Sequence, residues 1–173
     1  MKYLQDPLNH RNVASGEDFG SMFDAWIEIT EEEFNIQEAK NNKLADLNRF
    51  YNSNECWTFK VFTNDANPAV KGTYASLTRD ADFFARLLPS CGGRTIQFLD
   101  DKNKIVNYSF TVEKASNLNA KINIENGTTL RAKRLDLEDK INLANNIETI
   151  NSIDIETELL NAVERKIDLD KFN

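Results

Sequence analysis

Regular alternation of apolar and polar residues marks two segments of the chain as the strands of one β-hairpin. The segments are 95–99 and 105–112, and the polar turn 100–104 lies between them. A two-stranded hairpin is only marginally stable in water, so we expect further structure to cover its apolar face. The same alternation predicts a strand at 56–63 and a short strand or an extended linker at 70–76.

Helical patterns occupy most of the remaining chain. The first helix has the clearest start, because Thr30 is a candidate N-cap and Glu33, three residues later, completes a capping box. The turn-like composition of 52–54 predicts its end. Apolar residues at helical spacing predict further helices at 79–88, 112–126, 128 or 129 to 149, and 153–167. Asn126 and Gly127 are predicted to form the turn that closes the 112–126 helix.

Residues 1–25 show no steady period, which predicts an extended arm, with disorder as the alternative. Phe19, Phe23 and Trp26 precede the first capped helix, so we interpret them as interface residues. Replacing Phe19 and Phe23 with Ser should then weaken assembly and leave the melting temperature almost unchanged. A large fall in melting temperature would instead place both residues in the core.

The last predicted helix presents an apolar side that includes Leu159, Val163 and Ile167. Two arrangements are open for this side. It could fold back on its own chain, or it could pack against copies of the same helix, although the spacing is too irregular for a long coiled coil. On the second alternative, Leu159, Val163 and Ile167 are interface residues.

Together these elements predict an α+β fold. It comprises a small antiparallel sheet, formed by one strand and the β-hairpin, packed by a short helix, with an N-terminal helix and C-terminal helices. Along the chain we expect an N-terminal arm and capped helix at 1–54, an α/β core at 55–112 and a C-terminal helical region at 113–173.

The composition restricts the partners. The net charge is −7, with a sequence pI near 4.8, which argues against nucleic acid because phosphate contacts need a basic surface. No apolar run approaches the ~18 residues of a transmembrane helix, so we expect no membrane partner. The first twelve residues contain no apolar core of a signal peptide, and we therefore expect no secretory signal.

Few residues of the chain point to catalysis or to metal binding. With no secretory signal, Cys56 and Cys91 are read as reduced thiols, and with the single histidine, His10, they do not make a recognisable metal site. Phosphate-binding, dinucleotide-binding and hydrolase motifs are absent from the sequence. We therefore expect no enzyme, no catalytic residues, no cofactor and no small-molecule substrate. A carboxylate site stays open as an alternative, since four aspartates cluster near the hairpin: Asp80, Asp82, Asp100 and Asp101.

The order of strand, helix, hairpin and helices over 57–155 resembles a small uncharacterised domain of tailed-phage proteins, found beside tail-fibre and tail-fibre-assembly genes. The residues that match are WTFKVF, KGTYASLTRDADFFARLL, TIQFLDDKNKIVNYSF and RLDLEDKINLANNIETI. The segment WIEITEEEF is also similar to a helix start seen in small phage tail proteins. This family has no assigned catalytic residues, so the resemblance carries none over to this chain.

Two hypotheses follow from the resemblance. The first is a virion structural protein, a tail- or connector-associated adaptor, made in the host cytoplasm and joined to other virion proteins, with homo-oligomers expected. The second is a non-structural phage protein, either a tail-fibre assembly chaperone or an acidic inhibitor of a host factor, whose negative surface would shield a basic partner.

Overall fold

The computed structural model describes residues 1–53, 55–62, 72–74, 95–99, 105–109, 111–168 and 171. Within them the strands are β1 (Lys2–Gln5), β2 (Val13–Gly16), β3 (Ile27–Ile29), β4 (Phe59–Phe62), β5 (Gly72–Tyr74), β6 (Thr95–Leu99), β7 (Ile105–Ser109) and β8 (Lys166–Asp168). The α-helices are α1 (Glu31–Tyr51), α2 (Val112–Asn119), α3 (Gly127–Leu143), α4 (Ile147–Ser152) and α5 (Ile155–Leu160). Small, mainly antiparallel sheets combined with helices confirm the predicted α+β class.

The chain divides into two compact units, each built from two separate stretches of sequence. The first unit contains Met1–Arg49 and Leu135–Ile155, and the second contains Phe50–Arg134 and Glu156–Asn173. This division differs from the three successive regions that the sequence predicts. The predicted helix at 79–88 lies outside the described residues.

The first unit contains a three-stranded antiparallel sheet in the order β2-β1-β3. Its central strand places the buried Leu4 opposite Ala14 of β2 and Glu28 of β3. The predicted extended arm at 1–25 is therefore wrong. Strands of three or four residues are too short to show alternation in the sequence, and they are stabilised by main-chain hydrogen bonds to their neighbours.

Side-chain turns close the loop between β1 and β2. The Asp6 carboxylate accepts a hydrogen bond from the main-chain N–H of Leu8 at 2.9 Å, and the Asp6 N–H donates to the Asn12 carbonyl at 3.0 Å. The Leu8 N–H chiefly, and then the Asn12 side-chain amide that donates to the same carboxylate, hold the pKa of Asp6 below its ordinary value. The loop is therefore ordered by its own polar side chains.

Helix α1 begins with the predicted capping box. The Thr30 N–H donates to Glu33 Oε2 at 2.8 Å, and the Glu33 N–H donates to Thr30 Oγ1 at 3.1 Å. The Thr30 N–H, and then the Thr30 hydroxyl, lower the pKa of Glu33. The helix ends at Tyr51, next to the predicted turn at 52–54, so both boundaries of this prediction are confirmed.

Helix α1 also supplies much of the core of the first unit. Phe34 is buried and its ring lies 5.1 Å from the ring of Tyr3 on β1. The Lys40 ammonium donates to the Asn142 carbonyl at 2.7 Å, near the end of α3, where a cation complements the helix dipole. The other buried apolar residues of this unit are Leu4, Leu44, Leu47, Leu137, Ile141, Ala144, Ile150 and Ile155.

The second unit contains two small sheets among its described residues. In one, β4 lies between the antiparallel β5 and the parallel β8, and Phe59 of β4 is fully buried. In the other, β6 pairs only with β7, from Thr95 opposite Ser109 to Leu99 opposite Ile105, which confirms the predicted hairpin. The described part of the chain therefore places β4 and the hairpin in different sheets, whereas the sequence predicts one.

The predicted helix at 153–167 is wrong over its second half. Helix α5 ends at Leu160, and after a turn β8 pairs in parallel with β4, with Ile167 opposite Val61. The pattern Leu159, Val163, Ile167 fits a helical period, but burial of Ile167 beside β4 selects the extended conformation. The helix predicted to reach residue 149 also breaks, because the Asn146 side chain accepts from the Thr149 N–H at 2.8 Å and starts α4.

The predicted turn at Asn126 and Gly127 is absent. A π-helical segment, Ala120–Asn126, joins α2 to α3 without a turn, and Gly127 is the first residue of α3. The N-cap of α2 is Thr111, whose hydroxyl oxygen accepts from the Lys114 N–H at 3.1 Å. Inserting a π segment shifts the helical register without ending the helix, so glycine is not needed here as a helix terminator.

Candidate interaction surface

Three aromatic side chains between β2 and β3 form a continuous stack in the first unit. The rings of Phe19 and Phe23 have centroids 5.1 Å apart at an interplanar angle of 61°. The rings of Phe23 and Trp26 lie 4.8 Å apart at 76°. Both pairs adopt the edge-to-face arrangement that the aromatic quadrupole favours. The structure thus brings together all three residues that the sequence predicts for an interface at the N-terminal end.

Tight turns hold this stack in place. The Phe23 N–H donates to the Gly20 carbonyl at 3.0 Å, and the Trp26 N–H donates to the Phe23 carbonyl at 2.9 Å. Phe19 lies against the end of β2, since a Cβ on Gly16 would be 3.4 Å from Cζ of Phe19. The aromatic rings are therefore positioned by main-chain hydrogen bonds within 20–26 and by a close approach to glycine.

The stack is half-buried, and its neighbours in the chain leave apolar surface exposed. Phe19, Phe23 and Trp26 each retain intermediate exposure, while Met22 is 79% exposed and Ile27 is 47% exposed. Aromatic residues and methionine are enriched in protein–protein interfaces, and exposed apolar patches mark such sites. We name this set the aromatic surface: Phe19, Met22, Phe23, Trp26 and Ile27.

Exposed acidic residues lie next to the residues of the aromatic surface along the chain. Glu17, Asp18, Asp24 and Glu28 are all exposed, and no described cation lies within ion-pair distance of them. Lys2 is the one cation within the three strands of this sheet, and it pairs across the β1–β2 ladder with Gly16, the residue before Glu17. Exposed apolar and anionic residues therefore alternate along the segment 17–28.

The predicted C-terminal interface is corrected by burial. Leu159 is 0% exposed and Ile167 is 4% exposed, both within the second unit of the same chain. Val163 lies in the turn after α5 and is half-buried. Of the two arrangements left open by the sequence, the structure shows the one in which this segment closes on its own chain, so Leu159 and Ile167 are core residues.

Arg165, which no sequence pattern marks, stabilises the packing of this segment on its own chain. The Arg165 guanidinium donates to the carbonyls of Leu160 at 3.1 Å and Leu159 at 2.9 Å, and also to the carbonyl of Cys56. Its charge lies 5.2 Å from the centroid of the Phe59 ring. Arg165 thus caps the end of α5 and fastens it to the segment that leads into β4. No sequence motif predicts these hydrogen bonds, because the acceptors of Arg165 are main-chain carbonyls.

The thiol of Cys56 is buried beside this guanidinium. Burial raises the pKa of Cys56, and the neighbouring Arg165 opposes that rise only in part. Burial likewise lowers the pKa of Arg165. A thiol kept protonated and out of solvent is a poor nucleophile and a poor metal ligand, so this centre is structural.

One buried polar side chain lacks a partner for its donor. Asn126 is 4% exposed, and its Nδ2 has no hydrogen-bond acceptor among the described residues. It ends the π-helical segment, next to Gly127 and close to the Trp57 ring, which lies 3.9 Å from a Cβ built on that glycine. Trp57 itself donates through Nε1 to the Tyr51 carbonyl at 2.6 Å. An unpaired buried donor is costly, and nothing in the sequence predicted it.

Most of the residues considered for catalysis or metal binding lie outside the described part of the chain. These are Asp80, Asp82, Asp100, Asp101 and Cys91. In the part of the chain that is described, no three His, Cys, Asp or Glu side chains form a group that could hold a metal ion. Among the described helices none has both the length and the apolar character needed to cross a membrane.

Comparison with known proteins gives no relative for this chain. No protein-family model matches it, and neither a curated protein nor a solved structure matches it. The aromatic surface is therefore interpreted from its own geometry and charge.

Proposed function

We propose that this protein is a bacteriophage virion structural protein, a tail- or connector-associated adaptor that acts through protein–protein contacts. On this proposal it binds and does not catalyse, and the aromatic surface is one of its attachment points. It is made in the host cytoplasm and is incorporated into the virion, where other virion proteins are its partners.

The aromatic surface is the observation on which the binding role rests. Phe23 and Trp26 are held by hydrogen-bonded turns, so a partner would meet a preformed surface and the ordering cost of binding would be small. Met22 and Ile27 expose apolar area that water solvates poorly. Tryptophan at the centre of an interface is a frequent hot spot, which makes Trp26 the residue whose truncation should weaken binding most.

The phage assignment has a different support. It rests on the resemblance of WTFKVF, TIQFLDDKNKIVNYSF and RLDLEDKINLANNIETI to the tailed-phage domain. The hairpin within the second of these segments has the strand pairing expected for it.

A second candidate function is a non-structural phage protein, a tail-fibre assembly chaperone or an acidic inhibitor of a host factor. The exposed carboxylates along 17–28 favour it, because a negative surface can shield a basic partner transiently. The two candidates differ in whether the chain remains in the finished particle.

The experiment that separates them is quantitative mass spectrometry of gradient-purified phage particles and of the matching infected-cell lysate. A fixed copy number per particle supports the structural protein. Abundant chain in the lysate with none in the particle supports the chaperone or inhibitor. Size-exclusion chromatography with light scattering adds the solution mass, and a defined trimer, hexamer or larger ring would favour the structural role because it matches the symmetry of virion assemblies.

A further inference from the structure

We infer that the aromatic surface binds a partner protein with a basic, apolar face, and that it does not pair with the same surface of a second copy. This inference rests on the proposed function, because it names the chemistry of the partner at that attachment point.

The distribution of charge along the chain is strongly uneven around this surface. Residues 12–39 contain eight acidic residues and no lysine or arginine. The whole chain has 28 acidic and 21 basic residues, so the remainder has 20 acidic and 21 basic and is nearly neutral. The segment 12–39, which contains the aromatic surface, therefore carries a charge of −8, and the rest of the chain carries +1.

The acidic residues alternate with the apolar ones along the chain. Asp18 precedes Phe19, Asp24 follows Phe23, and Glu28 follows Ile27. The three carboxylates are exposed, and the described structure gives none of them a cation partner. A partner that contacts this exposed segment would meet carboxylates interspersed with apolar side chains. Cations there are attracted, and anions are repelled, more strongly than in bulk water.

The negative charge of these residues distinguishes between the possible classes of partner. A symmetric dimer through the aromatic surface would bring the carboxylates of both copies into one interface, which like-charge repulsion disfavours. Nucleic acid and the anionic cytoplasmic face of a membrane are disfavoured for the same reason. A protein surface with an apolar centre and lysines or arginines at its rim satisfies both features, and an amphipathic basic helix is its simplest form.

The direct test uses three synthetic helical peptides, each about 18 residues long so that a helix can form. The first has an apolar stripe flanked by Lys and Arg, the second has the same stripe flanked by Glu, and the third keeps the basic residues and replaces the stripe with Ser. The reporter is the indole N–H signal of Trp26 in a nitrogen–proton correlation spectrum. Trp57, the other tryptophan of the chain, serves as the internal control because its N–H is already bonded to the Tyr51 carbonyl.

The expected result is that only the first peptide shifts the Trp26 signal strongly and leaves Trp57 in place. Raising the salt from about 50 to about 300 mM should weaken this binding about tenfold, since exposed charges are screened over that range. The second and third peptides should bind at least about tenfold more weakly than the first.

Matched variants separate the charge from the apolar contact. Asp24→Lys with Glu28→Lys should weaken binding of the first peptide about tenfold or more, whereas the exposed pair Asp139→Lys with Glu148→Lys makes the same change in net charge and should have little effect. Met22→Ser with Ile27→Ser should weaken it similarly. Its control is Leu143→Ser, an 82% exposed apolar residue on α3, which should bind normally.

Three results would overturn the inference. They are no binding at millimolar peptide, equal binding of the acidic peptide, or concentration-dependent self-association that Met22→Ser with Ile27→Ser abolishes. The last would show that a second copy is the occupant.

The variant Met22→Ser with Ile27→Ser, introduced into phage, distinguishes failure of this inference from failure of the proposed function. If it is lost from particles although the basic peptide does not bind, the structural role stands and the basic partner is wrong. If it enters particles normally although the peptide binds, the basic surface stands and its role in the virion is wrong.

Discussion

Replacing Arg165 with Met tests whether one side chain holds the C-terminal strand in place. The substitution keeps an unbranched side chain and removes a guanidinium that donates to three main-chain carbonyls, those of Cys56, Leu159 and Leu160. It also removes the cation above the Phe59 ring. We expect the free energy of unfolding to fall by about 2–4 kcal/mol.

This magnitude follows from the contacts. A hydrogen bond to a charged group contributes about 1.5–3 kcal/mol, and a cation at a helix C-terminus adds about 0.3–1 kcal/mol. Full additivity would exceed the expected range. However, Arg165 is only half-buried, so water can reach some of the released carbonyls and recover part of the loss. Arg165→Lys keeps the charge but lacks the planar fork, and it should lose about half as much as Arg165→Met.

The assay is urea unfolding followed by circular dichroism, together with a thermal scan. A loss of 2–4 kcal/mol corresponds to a fall of roughly 4–16 °C for a chain of this size. Arg131→Met is the matched control, because Arg131 is exposed on α3 in the same unit and its replacement should change stability by less than about 0.5 kcal/mol. The reasoning is refuted if Arg165→Met is no more destabilising than Arg131→Met, or if Arg165→Lys matches the wild type.

Four further predictions concern the helix starts, the thiol and the π-helical segment. Thr30→Ala removes the capping box of α1 and should cost about 1 kcal/mol in urea unfolding, and a cost near zero would contradict the role of the cap. In a Cys91→Ser background, Cys56 should react with a thiol reagent in urea and not in the native state. Since its pKa is raised in the folded state, that state keeps the proton that the unfolded thiol loses above about pH 8.5. Stability should therefore fall as the pH rises through that value, and Cys56→Ala should abolish this fall. Gly127→Ala should stabilise the chain by about 0.5–1 kcal/mol, because the new methyl would meet atoms only at 3.6 Å and beyond, and destabilisation would show strain at this position. Asn126→Leu removes an unpaired buried donor, so it should be neutral or stabilise by about 1 kcal/mol, whereas a loss above about 2 kcal/mol would reveal an acceptor for Nδ2.

Features that depend on neighbours in the sequence were predictable. The capping box at Thr30 and Glu33 is local, and the structure shows its reciprocal hydrogen bonds. The hairpin predicted at 95–99 and 105–112 follows from alternation on both sides of one polar turn, and the antiparallel pairing of 95–99 with 105–109 confirms it. In both cases the physical cause lies within a few residues of its effect.

Features that depend on distant partners were not predictable. A helical period at 159, 163 and 167 is real in the sequence, yet Ile167 enters a strand because β4, more than a hundred residues away in the chain, offers a parallel pairing edge. The short strand β1 shows no readable period and is stabilised by β2 and β3. In such segments, pairing with a distant strand overrides the local secondary-structure propensity.

The candidate site shows the same contrast. Phe19, Phe23 and Trp26 could be selected from the sequence because they precede a well-defined helix start, but their mutual stacking could not. That stacking changes the expectation for the Ser variants at Phe19 and Phe23. Each half-buried ring gains about 0.5–1.5 kcal/mol from an aromatic neighbour, so the melting temperature should fall measurably even if assembly is the main role. Met22 and Ile27, which are more exposed, are the cleaner probes of binding.

The composition of the aromatic surface also explains how the free chain can expose this apolar area without aggregating through it. Edge-to-face stacking hides part of each ring, which reduces the apolar area that Phe23 and Trp26 would otherwise expose. The carboxylates of Asp24 and Glu28 repel other copies of the same surface and so oppose aggregation through the remaining apolar area. A basic partner reverses that effect, because the charges that separate identical copies attract it. Solubility of the free protein and selection of the partner would therefore depend on the same residues, and neutralising those charges, as in Asp24→Asn with Glu28→Gln, should weaken binding and increase self-association together.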